Sequence, residues 1–237
     1  MQYSLLPMRR ENHGSHMRAC RLHGCASLMR PFIGMDHCWL SAPTAQPQPP
    51  AGIALLSYLF LDSETGLRSR DASGNSTVIQ PGGARWLAAD RTYMRESSPA
   101  QAGRTVHVLH IYLEQTVTCH SIALDLEAHE VPVLELPGKR IRLVLGKHGK
   151  LRSPLAPPTA SSVLDVTLDP DEEFTMPISA GATAFVIPVF GCIEINNERF
   201  SSSEMQIPVY LGSSAQQQLT LRASGARAKF MLVAGGC

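Results

Sequence analysis

The feature that most constrains this chain is a missing one. No stretch of ten or more residues carries apolar side chains at i, i+3, i+4 and i+7, so helices are expected to be minor. From residue 30 onward, short apolar runs alternate with Gly, Pro, Asn and Ser instead. Ile53–Leu61 is closed by Asp62-Ser63-Glu64-Thr65-Gly66. Asp71-Ala72-Ser73-Gly74-Asn75 and Gln80-Pro81-Gly82-Gly83 are turn signals between strand candidates. Thr105–Leu113 reads as a strand of mixed faces. Lys139–Leu145 alternates, with Ile141, Leu143 and Leu145 on one side and Arg140, Arg142 and Val144 on the other. Ser162–Asp169 repeats the pattern with Leu164, Val166 and Leu168 inward. Further strands are expected at 184–190, 192–196, 205–211, 218–222 and 229–233, with Asn196-Asn197 as a tight hairpin turn. Pro188 lacks an N–H, so its strand should lie at an edge or contain a bulge. Strand-rich segments of about 100 residues occur twice, on either side of Val131-Pro132, and predict an all-β chain of two packed barrels.

Composition narrows the function classes. With 44% apolar and 17% charged residues the chain can bury a core. A net charge of +1 without charge blocks offers no footprint for nucleic acid, and no apolar run reaches the ~20 residues of a membrane span. Arg9, Arg10, Arg18 and Arg21 are not followed by an apolar signal core, so a cytoplasmic protein is expected. Residues 1–28 are polar and irregular and read as an N-terminal extension that adds little to the core. His13, His16, Cys20, His23 and Cys25 are of zinc-binding types, but their spacing does not match zinc sites. The cysteines at 20, 25, 38, 119, 192 and 237 are scattered, as expected of reduced thiols. Cys38, Cys119 and Cys192 lie beside apolar residues and read as small buried hydrophobes.

Several segments in order resemble the pirin family of double cupin barrels. They are Arg30-Pro31-Phe32, Pro49-Pro50-Ala51-Gly52 before the strand with Tyr58, Arg70-Asp71 with Gly74-Asn75, and Val78-Ile79-Gln80-Pro81-Gly82 with Arg85-Trp86. Arg152-Ser153-Pro154, Leu164-Asp165-Val166 and the closing Ala228–Gly235 stretch continue the series, which covers residues 28 to 236. The resemblance implies an N-terminal cupin barrel over 29–130 and a C-terminal one over 131–237.

Pirins and their quercetin-oxidising relatives hold an iron-type metal on a His-x-His pair and a later His and Glu. Laid on this chain, the His-x-His positions fall on Gln48 and Pro50. The later pair falls on Arg95 and Ser97 or, one residue earlier, on Met94 and Glu96. No histidine stands at any of these positions, and an arginine repels a cation. His107 and His110 are three apart on one strand, so only one can face the barrel interior. The resemblance therefore implies a pirin-like bicupin without the usual metal centre, with no cofactor and no catalytic residue. It would bind a small molecule or a protein partner. Gln48, Tyr93, Arg95, Glu96 and His110 are the expected lining of the former metal pocket. The alternatives are a quercetin 2,3-dioxygenase-like oxygenase with altered ligands for iron or another divalent metal, and a redox protein using Cys20, Cys25 or Cys237.

Overall fold

The turn chemistry read from the sequence appears in the backbone of the computed structural model, which describes residues 2–47, 52–71, 74–88, 94–115, 122–155, 157 and 159–236. Asn196 and Asn197 take φ of 51° and 70°, joining Cys192–Ile195 to Glu198–Ser201 through a two-residue hairpin. At Gln80-Pro81-Gly82-Gly83, Gly82 takes φ 83° and the Gly83 N–H donates to the Gln80 carbonyl at 2.8 Å. Among the described residues the only helix is the short Ala26–Met29, and no helix is long and apolar enough to cross a membrane.

Two units divide the chain. The N-terminal unit comprises residues 9–24 and 32–131; the C-terminal unit comprises residues 1–8, 25–31 and 132–237. Among the described residues each has a seven-stranded and a four-stranded antiparallel sheet. In the N-terminal unit the larger sheet runs Ile122–Leu126, Ala84–Ala88, Ile53–Leu59, Val106–Glu114, Phe32–Leu40, Met17–His23, Arg9–His13. The smaller runs Thr44–Pro47, Met94–Pro99, Leu67–Asp71, Ser76–Ile79. Leu67 and Ile79 of the smaller sheet pack with Leu59, Cys38, Val106 and Val108 of the larger, so these faces enclose the barrel interior.

The C-terminal unit repeats this plan around an apolar core, in which Ile141, Leu143, Leu164, Val166 and Leu168 meet Phe174 and Met176 of the smaller sheet. Each fully buried side chain of this size contributes roughly 1.5–3 kcal/mol relative to exposure. The inward set matches the alternation in the sequence as far as Leu143; the register then shifts, and Leu145, expected on the same side, pairs with Val163 outside this cluster. The opposite face is not solvated, however: Arg142 and Asp165 are buried there, with the Lys229 ammonium 3.4 Å from Asp165 Oδ2. Pro188 lies on a strand between two others, but the register shifts between Pro188 and Phe190. The neighbour Gln206–Tyr210 pairs only with Ala184 and Phe185 of that strand, so no ladder bond to it is lost at the proline.

Residues 1–28 are not an extension. Tyr3–Pro7 pairs along its length with Gln206–Tyr210 and buries Leu6, while Arg9–His13 and Met17–His23 complete the N-terminal unit's larger sheet. Met17, Ala19, Cys20 and Leu22 are buried. Both faces of Met17–His23 pack, so apolar and polar residues do not alternate and the strand carries no period-2 signal. The types expected of a zinc cluster are dispersed: Cys20 is buried on one face, and His23 bonds Asp36 from the other.

Candidate ligand pocket in the N-terminal barrel

Antiparallel register places one residue from each strand directly beside the next, and across the larger N-terminal sheet this produces a continuous polar row. Arg9 pairs with Arg21, Arg21 with Asp36, Asp36 with His110, His110 with Ser57, Ser57 with Arg85, and Arg85 with Asp125. Directly paired residues share a face. Ala19, Cys38, Val108 and Leu59 stand two positions away on the same strands and belong to the barrel core, so the row points into the barrel.

Asp36 organises one half of the row. Its Oδ1 accepts from His23 Nε2 at 2.7 Å and its Oδ2 from the Tyr112 hydroxyl at 3.0 Å, with Arg21 Nε 3.6 Å away. Burial pushes the Asp36 pKa up, but the His23 hydrogen bond and the charges of His110, His23 and Arg21 outweigh it and hold the carboxyl below its usual range. Gly34 lies between His23 and Tyr112 in the register, and its missing side chain lets the two rings approach to 5.5 Å. Arg21 is itself held by Glu11 at 2.7 Å.

The other half of the row is built from hydroxyls and a guanidinium. Ser57 Oγ lies 2.8 Å from His110 Nδ1. Arg85 hydrogen-bonds the hydroxyl of Thr77, which belongs to the smaller sheet. There, Thr77 pairs with Ser69 and Ser69 with Ser97, so a second row of hydroxyls faces the first.

Of the residues expected to line this pocket, His110 is buried in the row. Gln48 and Tyr93 lie outside the described residues, as does the side chain of Arg95. Glu96 is exposed, whereas Ser97 and Pro99 are buried. The odd-numbered residues of that strand face inward, which removes Glu96 from the lining and leaves Ser97 as the inward position. The thiol expected to be reactive at Cys20 is buried, and burial pushes its pKa up against the lowering effect of Arg10 and Arg18. Cys38 is a buried small residue as expected, Cys192 only half-buried, and Cys119 and Cys237 lie outside the described residues.

Asp36, His23, Tyr112, Ser57, Ser69 and Arg85 were not legible as a group, because their strands are distant in sequence. One signal was present: Asp36 is a lone carboxylate inside the apolar run Phe32–Leu40, where an unpaired charge would be costly.

Residues 163–237 match the Pirin C-terminal cupin domain. A pirin-like protein of Arabidopsis thaliana is 24% identical over 217 residues, 86% of this chain and 69% of the relative. Quercetin 2,3-dioxygenase from Acinetobacter baumannii shares the fold with a TM-score of 0.82 at 16% identity, over 98% of this chain and 85% of that one. A bacterial pirin from Escherichia coli, solved in complex with nickel(II), superposes with a TM-score of 0.75 at 15% identity, over 99% of both chains. With the pirin domain over residues 163–237 and pirin-like relatives along most of its length, the chain is similar to the pirin family.

Proposed function

We propose that this pirin-like protein binds a small molecule in its N-terminal barrel without the family's metal centre, and serves as a binding or regulatory protein. The observation that carries this reading is Ser97, the inward and buried residue where the resemblance places a metal-ligating carboxylate. A neutral hydroxyl is a poor donor for an iron-type ion, and Gln48, Pro50 and Arg95 add at best one amide oxygen. Among the described residues, no group of three or more His, Cys, Asp or Glu is disposed to hold a metal. By the chemistry of these donors, the residues do not fit the ion. The scattered spacing of the cysteines supports a reducing compartment such as the cytoplasm.

The second reading, a quercetin 2,3-dioxygenase-like oxygenase with other ligands, draws on the fold shared with the Acinetobacter enzyme. Elemental analysis of freshly purified protein separates the two, followed by a flavonol-consumption assay with iron, copper, manganese and nickel added separately. The binding reading expects well under one metal per chain and no turnover. Near-stoichiometric metal with metal-dependent turnover would replace it with the oxygenase.

A further inference from the structure

Among the described residues of the N-terminal barrel, three buried polar atoms have no hydrogen-bond partner: Arg21 Nε, which lies 3.6 Å from Asp36 Oδ1, Ser69 Oγ and Arg85 Nε. Arg85 Nε lies 3.4 Å from Asp125 Oδ1 without hydrogen-bond alignment. Buried polar groups are nearly always satisfied, so each orphan calls for a physical account. Ser69 Oγ and Arg85 Nε belong to one place. Arg85 reaches across the barrel to the Thr77 hydroxyl, and Thr77 is the direct cross-strand partner of Ser69. Ser57 flanks Arg85 on its own sheet, and Ser97 flanks Ser69 on the other.

We infer that Arg85, with the hydroxyls of Ser57, Ser69 and Thr77, forms a site for a small carboxylate inside the N-terminal barrel. The inference rests on the metal-free reading above and deepens it by naming the ligand class. Where a metal-binding relative presents electron-pair donors to a cation, this interior presents proton donors to an anion. The guanidinium edge formed by Nε and one terminal nitrogen matches the two oxygens of a planar carboxylate, and the surrounding hydroxyls turn their hydrogens to either oxygen. The Arg85 side chain is 13% exposed, so an ion pair there is weakly screened, whereas its intramolecular competitor Asp125 is 48% exposed. A bound carboxylate takes the place of that distant, solvated partner. Asp36 repels an anion from the far half of the row, but its charge is already taken up by His23, Arg21 and Tyr112.

The test is isothermal titration calorimetry on the full chain, stripped of adventitious metal, with oxalate, malonate, benzoate and inorganic phosphate in a buffer free of carboxylates. At least one carboxylate is expected to bind at one per chain and more tightly than phosphate. R85Q is expected to weaken it by about tenfold or more, the scale of a charge-assisted hydrogen bond. D125N removes the competing carboxylate and is expected to tighten binding, an effect that a merely structural Arg85 would not produce. D125N therefore keeps the test decisive if R85Q fails to fold. No carboxylate binding by the metal-free protein, phosphate binding alone, or an affinity unmoved by D125N would overturn the anion site while leaving the metal-free reading standing. Carboxylate binding that required added metal would overturn both.

Discussion

His37 and His107 meet Nε2 to Nε2 at 2.7 Å on the opposite side of the sheet from His110. Asp62 Oδ2 lies 3.1 Å from His107 Nδ1, so His107 gives its Nδ1 proton to the carboxylate and accepts from His37 through Nε2. Trp39 stacks on His107 at 4.9 Å, and the Arg18 guanidinium lies 4.1 Å from the Trp39 ring centroid. Replacing His107 by Leu deprives a buried imidazole of this acceptor and should cost about 1–3 kcal/mol. Chemical denaturation of H107L against the parent checks this; a midpoint within error of the parent would show that the pair contributes no stability.

The carboxyl of Asp36 is held below its ordinary value of 3.8 in the folded state. The unfolded chain therefore takes up this proton at a higher pH than the folded one. The stabilisation is fully present above the unfolded pKa and is lost as pH falls through the folded value. D36N should be less stable than the parent at pH 7, by about 1–3 kcal/mol, and the gap should close as melts are taken towards pH 3. A gap that persists unchanged in acid would assign the loss to packing.

Gly34 tests the same cluster through the backbone. A Cβ there would lie 2.6 Å from His23 Nδ1 and 2.8 Å from the Leu22 carbonyl. G34A should displace His23 from Asp36 and shift the His23 ring resonances in NMR spectra, together with those of Tyr112. An unperturbed His23 spectrum in a folded G34A protein would contradict the geometry.

His148 is half-buried beside Phe174, 5.5 Å between rings, and burial lowers its pKa from 6.5. A histidine buried neutral must remain uncharged while its unfolded counterpart protonates. Its contribution is thus intact above pH 6.5 and declines as pH falls below it. Thermal melts of H148Q should show a shallower loss of stability between about pH 6.5 and 5 than the parent. Superimposable pH profiles would remove His148 from the acid response.

Deleting residues 1–8 removes a strand from the C-terminal unit's larger sheet, exposes the edge of Gln206–Tyr210 and takes away buried Leu6. At roughly 1.5–3 kcal/mol for the leucine alone, the unfolding midpoint should fall by about 3–10 °C, with greater aggregation from the uncovered edge. An unchanged midpoint would return this segment to the status of an extension.

The hairpin at Asn196-Asn197, the turn at Pro81-Gly82 and the inward placing of Ile141, Leu143, Leu164, Val166 and Leu168 were all determined by the sequence itself. Each depends only on local backbone preference or on the two-residue period of a strand. Of these, Pro81-Gly82 and Leu164-Asp165-Val166 are also among the segments that carry the family resemblance. Tertiary structure alone decided which strands lie side by side. Asp36, His110, Ser57 and Arg85 share a row because antiparallel register aligns residues 36, 110, 57 and 85, and no periodicity within one strand reports its offset from another. The phase of Met94–Pro99 was settled in the same way, turning Ser97 inward and Glu96 to solvent. The strands of residues 3–23 stayed hidden because partners far along the chain, and not their own apolar pattern, hold them in place.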